Sequence, residues 1–144
     1  MNLPQYIKAE EVQRVCRELG IGDWTELKEA TVTVEEAQII RNAVGSEATQ
    51  ISVDEFRRGL EVELEHGLQF PDANVTNNHP LLTGKIVLAH LKETLDYYSR
   101  LEVAELEGDM LKALIKGDLG KLADKYRKLI HARLALSSSE TIHL

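Results

Sequence analysis

A chain of 144 residues with 43% hydrophobic content can bury one core, and aromatics at 5% leave that core to Leu, Ile, Val and Ala. A net charge of −7 argues against nucleic acid as a partner, because phosphate binding needs clustered Lys and Arg. No apolar run approaches the length of a membrane span, and a single cysteine, Cys16, leaves no intramolecular disulfide.

The opening MNLPQYIKAEEV lacks a basic start followed by an apolar run, so no signal peptide is expected and the expected location is cytoplasmic. Glu10 to Leu19 reads as a short amphipathic helix with Val12, Val15, Cys16 and Leu19 on one side and Gly20 as its C-terminal cap. Cys16 is expected to act as a small buried hydrophobe. Residues 21–32 read as irregular. A second helix starts at the Thr33–Glu36 capping box, carries Ala37, Ile40 and Val44 inward and stops at Gly45. Residues 11–20 and 36–45 echo one another, with Glu, Gln, aliphatic residues and Gly at matching offsets. A third helix starts at the Ser52–Glu55 capping box and is expected to end at Gly67.

Residues 68–80, LQFPDANVTNNHP, have the composition of a long loop. Such a loop inside a compact domain is often functional. Leu81 to Leu95 predicts a strong helix. The next starts near Asp96 or at a Ser99–Glu102 capping box and runs to about Ile115. Gly117 and Asp118 break the chain before a last helix, with Leu119, Leu122, Tyr126, Leu129 and Ile130 on one face, and the tail SSSETIHL reads as loose. Charge is uneven: residues 1–109 carry −11 and residues 110–136 carry +5. A basic C-terminal helix lying on an acidic bundle is the expected arrangement. A protein partner or homo-oligomer docking through that helix is the sharper alternative.

The fold class that follows is all-α: a compact single-domain bundle of five or six helices with one long ordered loop at 68–80. The single domain would span 1–136, with a short-helix pair in 1–50, a core in 52–116, a basic helix in 118–136 and a loose tail in 137–144.

Two motifs carry chemistry. Glu63 and His66 stand three apart on the third helix, and His90 and Glu93 three apart on the next, so each pair shares a helix face. On a helical projection Glu63 lies beside Phe56, and His90 lies within the arc of Ile86, Val87, Leu91 and Leu95. Both pairs are therefore expected to border buried surface, where an unpaired carboxylate is costly. One solution is a transition metal, Fe, Mn or Zn, held by Glu63, His66, His90 and Glu93, with Asp96, Tyr97 or Glu105 completing the shell. The other is a polar network of Glu63, Glu65, His66, Lys85, His90 and Glu93 that braces the 68–80 loop. Asp72, Asn74 and Thr76 suggest the start of a calcium loop, but Asn77 replaces its Gly and Thr83 its closing Glu.

The residues VELEHG at 62–67, NVT at 74–76, TGKI at 83–86, AHL at 89–91, DYY at 96–98 and RL at 100–101 resemble an uncharacterised bacterial helical family. The resemblance covers about 53–101. It implies that these polar residues belong to a shared core and supplies no activity. Where that family carries Pro before DYY, this chain has Leu95.

Two functions follow: a helical-bundle metal protein, with redox or hydrolytic chemistry at the four residues, or a non-catalytic structural, assembly or protein-interaction module.

Overall fold

The structure is a computed structural model that describes residues 7–142. Among the described residues there are six α-helices and no strand, so the chain is all-α as its sequence pattern requires. The helices are α1 (Ala9–Leu19), α2 (Val34–Val44), α3 (Val53–Gln69), α4 (Pro80–Glu93), α5 (Tyr97–Ile115) and α6 (Leu119–Ile142). The described residues divide into two compact units, the first ending at Lys92 and the second beginning at Glu93.

In the first unit the helix ends follow local chemistry. Gly20 closes α1 in the left-handed region at φ 69°, and its amide donates to Arg17 O. Thr33 and Glu36 form the full capping box of α2. Ser52 caps α3 by accepting from Glu55 N at 3.2 Å. The α1–α2 echo extends to burial: Val12 and Val15 in α1 and Ala37 and Ile40 in α2 are all inside. Between these helices Trp24 starts a single 3-10 turn and is 1% exposed, so the irregular segment contributes the largest core side chain. Phe56, Leu60 and Leu64 bury one face of α3, and Val87 and Leu91 one face of α4. Buried Gly84 lets α4 come close: a Cβ there would stand 3.1 Å from Ile40 and 3.3 Å from the Phe56 ring.

Two boundaries differ from expectation in the first unit. Helix α3 runs through Gly67 to Gln69, because Gly67 gives up its side chain to the loop that folds over it. Within 68–80, Pro71–Ala73 forms a further 3-10 turn, and α4 starts at Pro80, whose missing N–H suits the first helical position.

In the second unit, α5 starts at Tyr97, so Ser99 lies inside the helix and not at its start. A break falls before it although Leu95, and not Pro, precedes Asp96, held by Tyr97 N donating to Thr94 O and by Thr94 Oγ1 donating to Asp96. Leu106, Leu129 and Ala132 form the α5–α6 core, with Val103 and Met110 packed against it. Asp118 caps α6 by accepting from Lys121 N at 2.9 Å. The stretch read as a loose tail is helical as far as Ile142, since nothing after Ala135 breaks the 3.6-residue pattern. Residues 143–144 of that stretch, and residues 1–6 of the opening, lie outside the described residues.

Candidate functional site

Helices α3 and α4 carry the four residues singled out by spacing. Glu63 sits on α3 with its side chain 17% exposed, and His90 sits on α4 at 29%. His90 Nδ1 lies 3.0 Å from Glu63 Oε1. An ionised carboxylate only accepts, so the hydrogen bond to it requires the proton on Nδ1. The two helices are thus joined by a charge-assisted contact at the margin of their apolar faces.

His66 lies one turn beyond Glu63 and is exposed. It shares with Glu63 the wall of a cleft of about 220 Å³, whose opposite side is loop residues Phe70, Asn74, Val75 and Thr76. Glu93 is exposed at the end of α4. The expectation that both pairs border buried surface therefore holds for Glu63 and His90 and not for His66 and Glu93. Three-residue spacing fixes a shared face, but the last turn of a helix can extend past whatever covers that face.

The additional ligand candidates are placed differently. Asp96 is buried and receives Arg100 Nε at 2.9 Å and Arg100 Nη2 at 2.7 Å, and the guanidinium holds its carboxyl below the usual carboxylate range. Tyr97 meets Tyr98 edge to face, ring centres 5.2 Å apart. Glu105 is exposed on α5. Among the described residues, no group of three or more His, Cys, Asp or Glu side chains comes together in a way that could hold a metal ion. The wider polar network is also reduced, because Glu65 and Lys85 are exposed.

What fixes the loop is a set of residues the spacing argument overlooked. Asn74 Nδ2 donates to Gly67 O at 3.3 Å and to Asn78 Oδ1 at 2.7 Å, and Thr76 Oγ1 donates to Asn74 Oδ1 at 3.2 Å. Asn77 and Asn78 adopt φ 50° and 58°, a left-handed pair that Asn tolerates best among residues with a side chain. Asn77 Nδ2 donates to Ile7 O, tying the loop to the start of the first unit. The signal is present in the sequence as the Asn-rich run NVTNN, whose composition by itself predicts only a turn.

His79 ends the loop and caps α4. Its carbonyl accepts from Thr83 N at 2.9 Å, and its Nδ1 accepts from Leu82 N at 3.4 Å. Burial pushes its pKa down, against the opposing pull of the Glu11 carboxylate. Cys16 is 1% exposed, and burial pushes its thiol up, away from the thiolate a nucleophile needs. No helix among the described residues is long and apolar enough to cross a membrane.

Neither a curated protein nor a solved structure matches this chain. A family match does exist, and it extends beyond 53–101 to take in most of α1, all of α2 and the first half of α5. Matched over residues 12–107, the chain belongs to the family described as "Protein of unknown function (DUF5661)".

Proposed function

We propose that the first unit is a non-catalytic interaction module of a bacterial, cytoplasmic protein, in which Glu63 and His90 brace α3 against α4 beneath a preformed loop. The observation that carries the reading is the 3.0 Å contact between His90 Nδ1 and Glu63 Oε1. That contact commits the carboxylate to a structural partner on the neighbouring helix. Support comes from the lock of Asn74 on Asn78 and Gly67, which orders the loop before any partner arrives and so lowers the entropy lost on binding. The ordered loop presents Phe70 and Val75, which are 49% and 83% exposed. An exposed aromatic beside an exposed aliphatic residue suits protein contact better than catalysis.

The competing reading is the metal centre at Glu63, His66, His90 and Glu93, favoured by Glu63 and His66 lining one cleft with His90 adjacent. Metal analysis of the natively purified protein, repeated after incubation with Fe(II), Mn(II) and Zn(II), separates the two. The brace predicts no stoichiometric metal, together with loss of amide protection over residues 70–79 in Glu63→Gln and His90→Ala. A near-stoichiometric metal that His66→Ala and His90→Ala both abolish would overturn it.

A further inference from the structure

Helices α5 and α6 form an antiparallel hairpin that turns at Gly117, φ 69°. Their shared seam follows alternating steps of four and three: Val103, Leu106, Met110 and Ala113 on α5. On α6 the seam holds Leu129 and Ala132, with half-buried Leu122 and Leu136 continuing the spacing.

One residue further along each helix is a rotation of about 100°. On α5 that step reaches Leu111 and Leu114, with Ile115 one turn beyond Leu111. On α6 it reaches Tyr126 and Ile130, flanked a turn or two away by Leu119 and Leu134. The two helices run in opposite directions, so an equal forward rotation turns both sets to the same side of the hairpin. One residue backward from the seam gives the opposite side. There α5 carries Glu102, Glu105, Asp109 and Lys112, and α6 carries Lys121, Asp124, Lys128 and His131. The hairpin therefore has one charged side and one apolar side. The apolar side also carries two ion pairs across the hairpin, Arg133 to Glu107 at 2.5 Å and, at the end remote from the turn, Arg100 to Glu140 at 2.7 Å.

We propose that the apolar side docks a second copy of this chain, two hairpins closing into a four-helix bundle in which α5 of each copy lies against α6 of the other. The seven large apolar side chains on that side are 46% to 77% exposed. Together they offer on the order of 800 Å², which is what one partner gives to a standard protein interface and more than a monomer usually leaves in water. The placement of the apolar groups sets the orientation. Leu111, Leu114, Ile115 and Leu119 cluster toward the turn, and the charges of that side, Arg100 and Glu107 on α5 and Arg133 and Glu140 on α6, are balanced on each helix. A two-fold axis parallel to the helices sets each α5 opposite an α6 and runs all neighbours antiparallel. The alternative two-fold axis would stack α5 on α5 and α6 on α6 with the turns at opposite ends, and would set this cluster against the polar ends of the helices. In the favoured arrangement the turns of both copies meet at one end, gathering Leu111, Ile115 and Leu119 from each. The proposal rests on residues 97–142 and is independent of the brace at Glu63 and His90.

The full chain is measured by sedimentation equilibrium over a range of micromolar concentrations, with far-UV circular dichroism to verify helix content. The expected result is a dimer mass. Tyr126→Glu combined with Ile130→Lys, and separately Leu111→Lys combined with Leu119→Lys, are expected to raise the dissociation constant at least about a hundredfold with helicity retained, because all four positions are exposed in the single chain. Lys128→Glu combined with His131→Glu, on the charged side, is expected to leave the mass unchanged. A monomer at every concentration overturns the proposal. So does a dimer that both apolar-side pairs leave intact.

Discussion

Gly84 on α4 faces Val44 on α2 so closely that a Cβ at Gly84 would stand 2.7 Å from Val44 Cγ2. The neighbours cannot yield easily. Val44 and Ile40 are β-branched and stiff at χ1, and the Phe56 ring is fully buried on the third side. Gly84→Ala is expected to lose about 1–2 kcal/mol net: with three stiff neighbours around the site overpacking costs roughly 2–3 kcal/mol, the upper part of its usual range, and about 1 kcal/mol of helix propensity is gained back. Gly120→Ala is the control, since its Cβ would meet only an ordinary contact at 3.7 Å. Urea denaturation measures both. Equal midpoints for Gly84→Ala and wild type would show that α4 does not pack on α2 at this separation.

Gly67 plays the corresponding part for the loop. A Cβ there would collide with the Asn78 side chain and stand 2.8 Å from Asn74 Nδ2. These amides can swing away, but doing so breaks the Asn74–Asn78 hydrogen bond. Gly67→Ala is therefore expected to cost about 1 kcal/mol globally and to reduce amide protection selectively over residues 70–79. Hydrogen exchange followed by mass spectrometry reads both. Uniform loss along the chain, without a focus on the loop, would separate Gly67 from loop order.

His79 links the same loop to pH. Its pKa is lowered, first by burial and less by Arg14, with Glu11 opposing. The folded chain takes up this proton less readily than the unfolded one. The stabilising contribution is thus complete above about pH 6.5, the unfolded value, and is lost as pH falls through it toward the lower folded pKa. His79→Asn retains a side-chain acceptor at the helix start and removes the titration. Stability of wild type relative to this variant should decline from about pH 7 to 5, the range in which an imidazole charges. Parallel pH profiles for the two proteins would rule the linkage out.

Cys16 tests the docking of α1. At 1% exposure its thiol is shielded, and burial raises its pKa. Reaction with a disulfide reagent in native buffer is expected to be slower than in denaturant by on the order of a hundredfold or more, limited by opening of the first unit. Native labelling at the denatured rate would place Cys16 on the surface.

Much of this was legible in the sequence because it is local. The Thr33–Glu36 box, the Gly20 cap and the stripe of Phe56, Leu60 and Leu64 each depend on residues within two turns of one another, so spacing alone specifies them. The pairing of Glu63 with His90 could be anticipated from the apolar arcs of α3 and α4. His66 and Glu93 could not be excluded in that way, because their exposure depends on where the neighbouring elements end. Ser99 misled for a related reason: a capping-box pattern has no force inside a helix already begun, here at Tyr97. The Asn74–Gly67 contact spans a loop whose path no periodicity encodes.

Two cross-hairpin ion pairs on α5 and α6 allow a last comparison. Lys125 Nζ lies 2.6 Å from Asp109 Oδ2, with side chains 23% and 33% exposed, and Asp109 is held below the usual carboxylate range chiefly by that lysine. Arg133 reaches Glu107 at 2.5 Å, but both side chains are about half exposed. Coulomb attraction is screened where water surrounds both partners, and fixing two long side chains costs rotamer entropy. Asp109→Asn is expected to lower stability by roughly 0.5–1 kcal/mol and Glu107→Gln by less than about 0.5 kcal/mol. The sign with pH follows from the lowered Asp109 pKa: its contribution is present above the unfolded value near pH 3.9 and disappears as pH falls through the folded one. A double-mutant cycle with Lys125→Met and Arg133→Met, read by denaturant midpoint, isolates each pair from the packing its long side chains also provide. A larger coupling for Glu107 and Arg133 than for Asp109 and Lys125 would mean that the outer pair is shielded from water in solution. The hairpin–hairpin interface predicts that shielding only at concentrations where the dimer forms, so the cycle repeated on the Tyr126→Glu, Ile130→Lys background should return the smaller value.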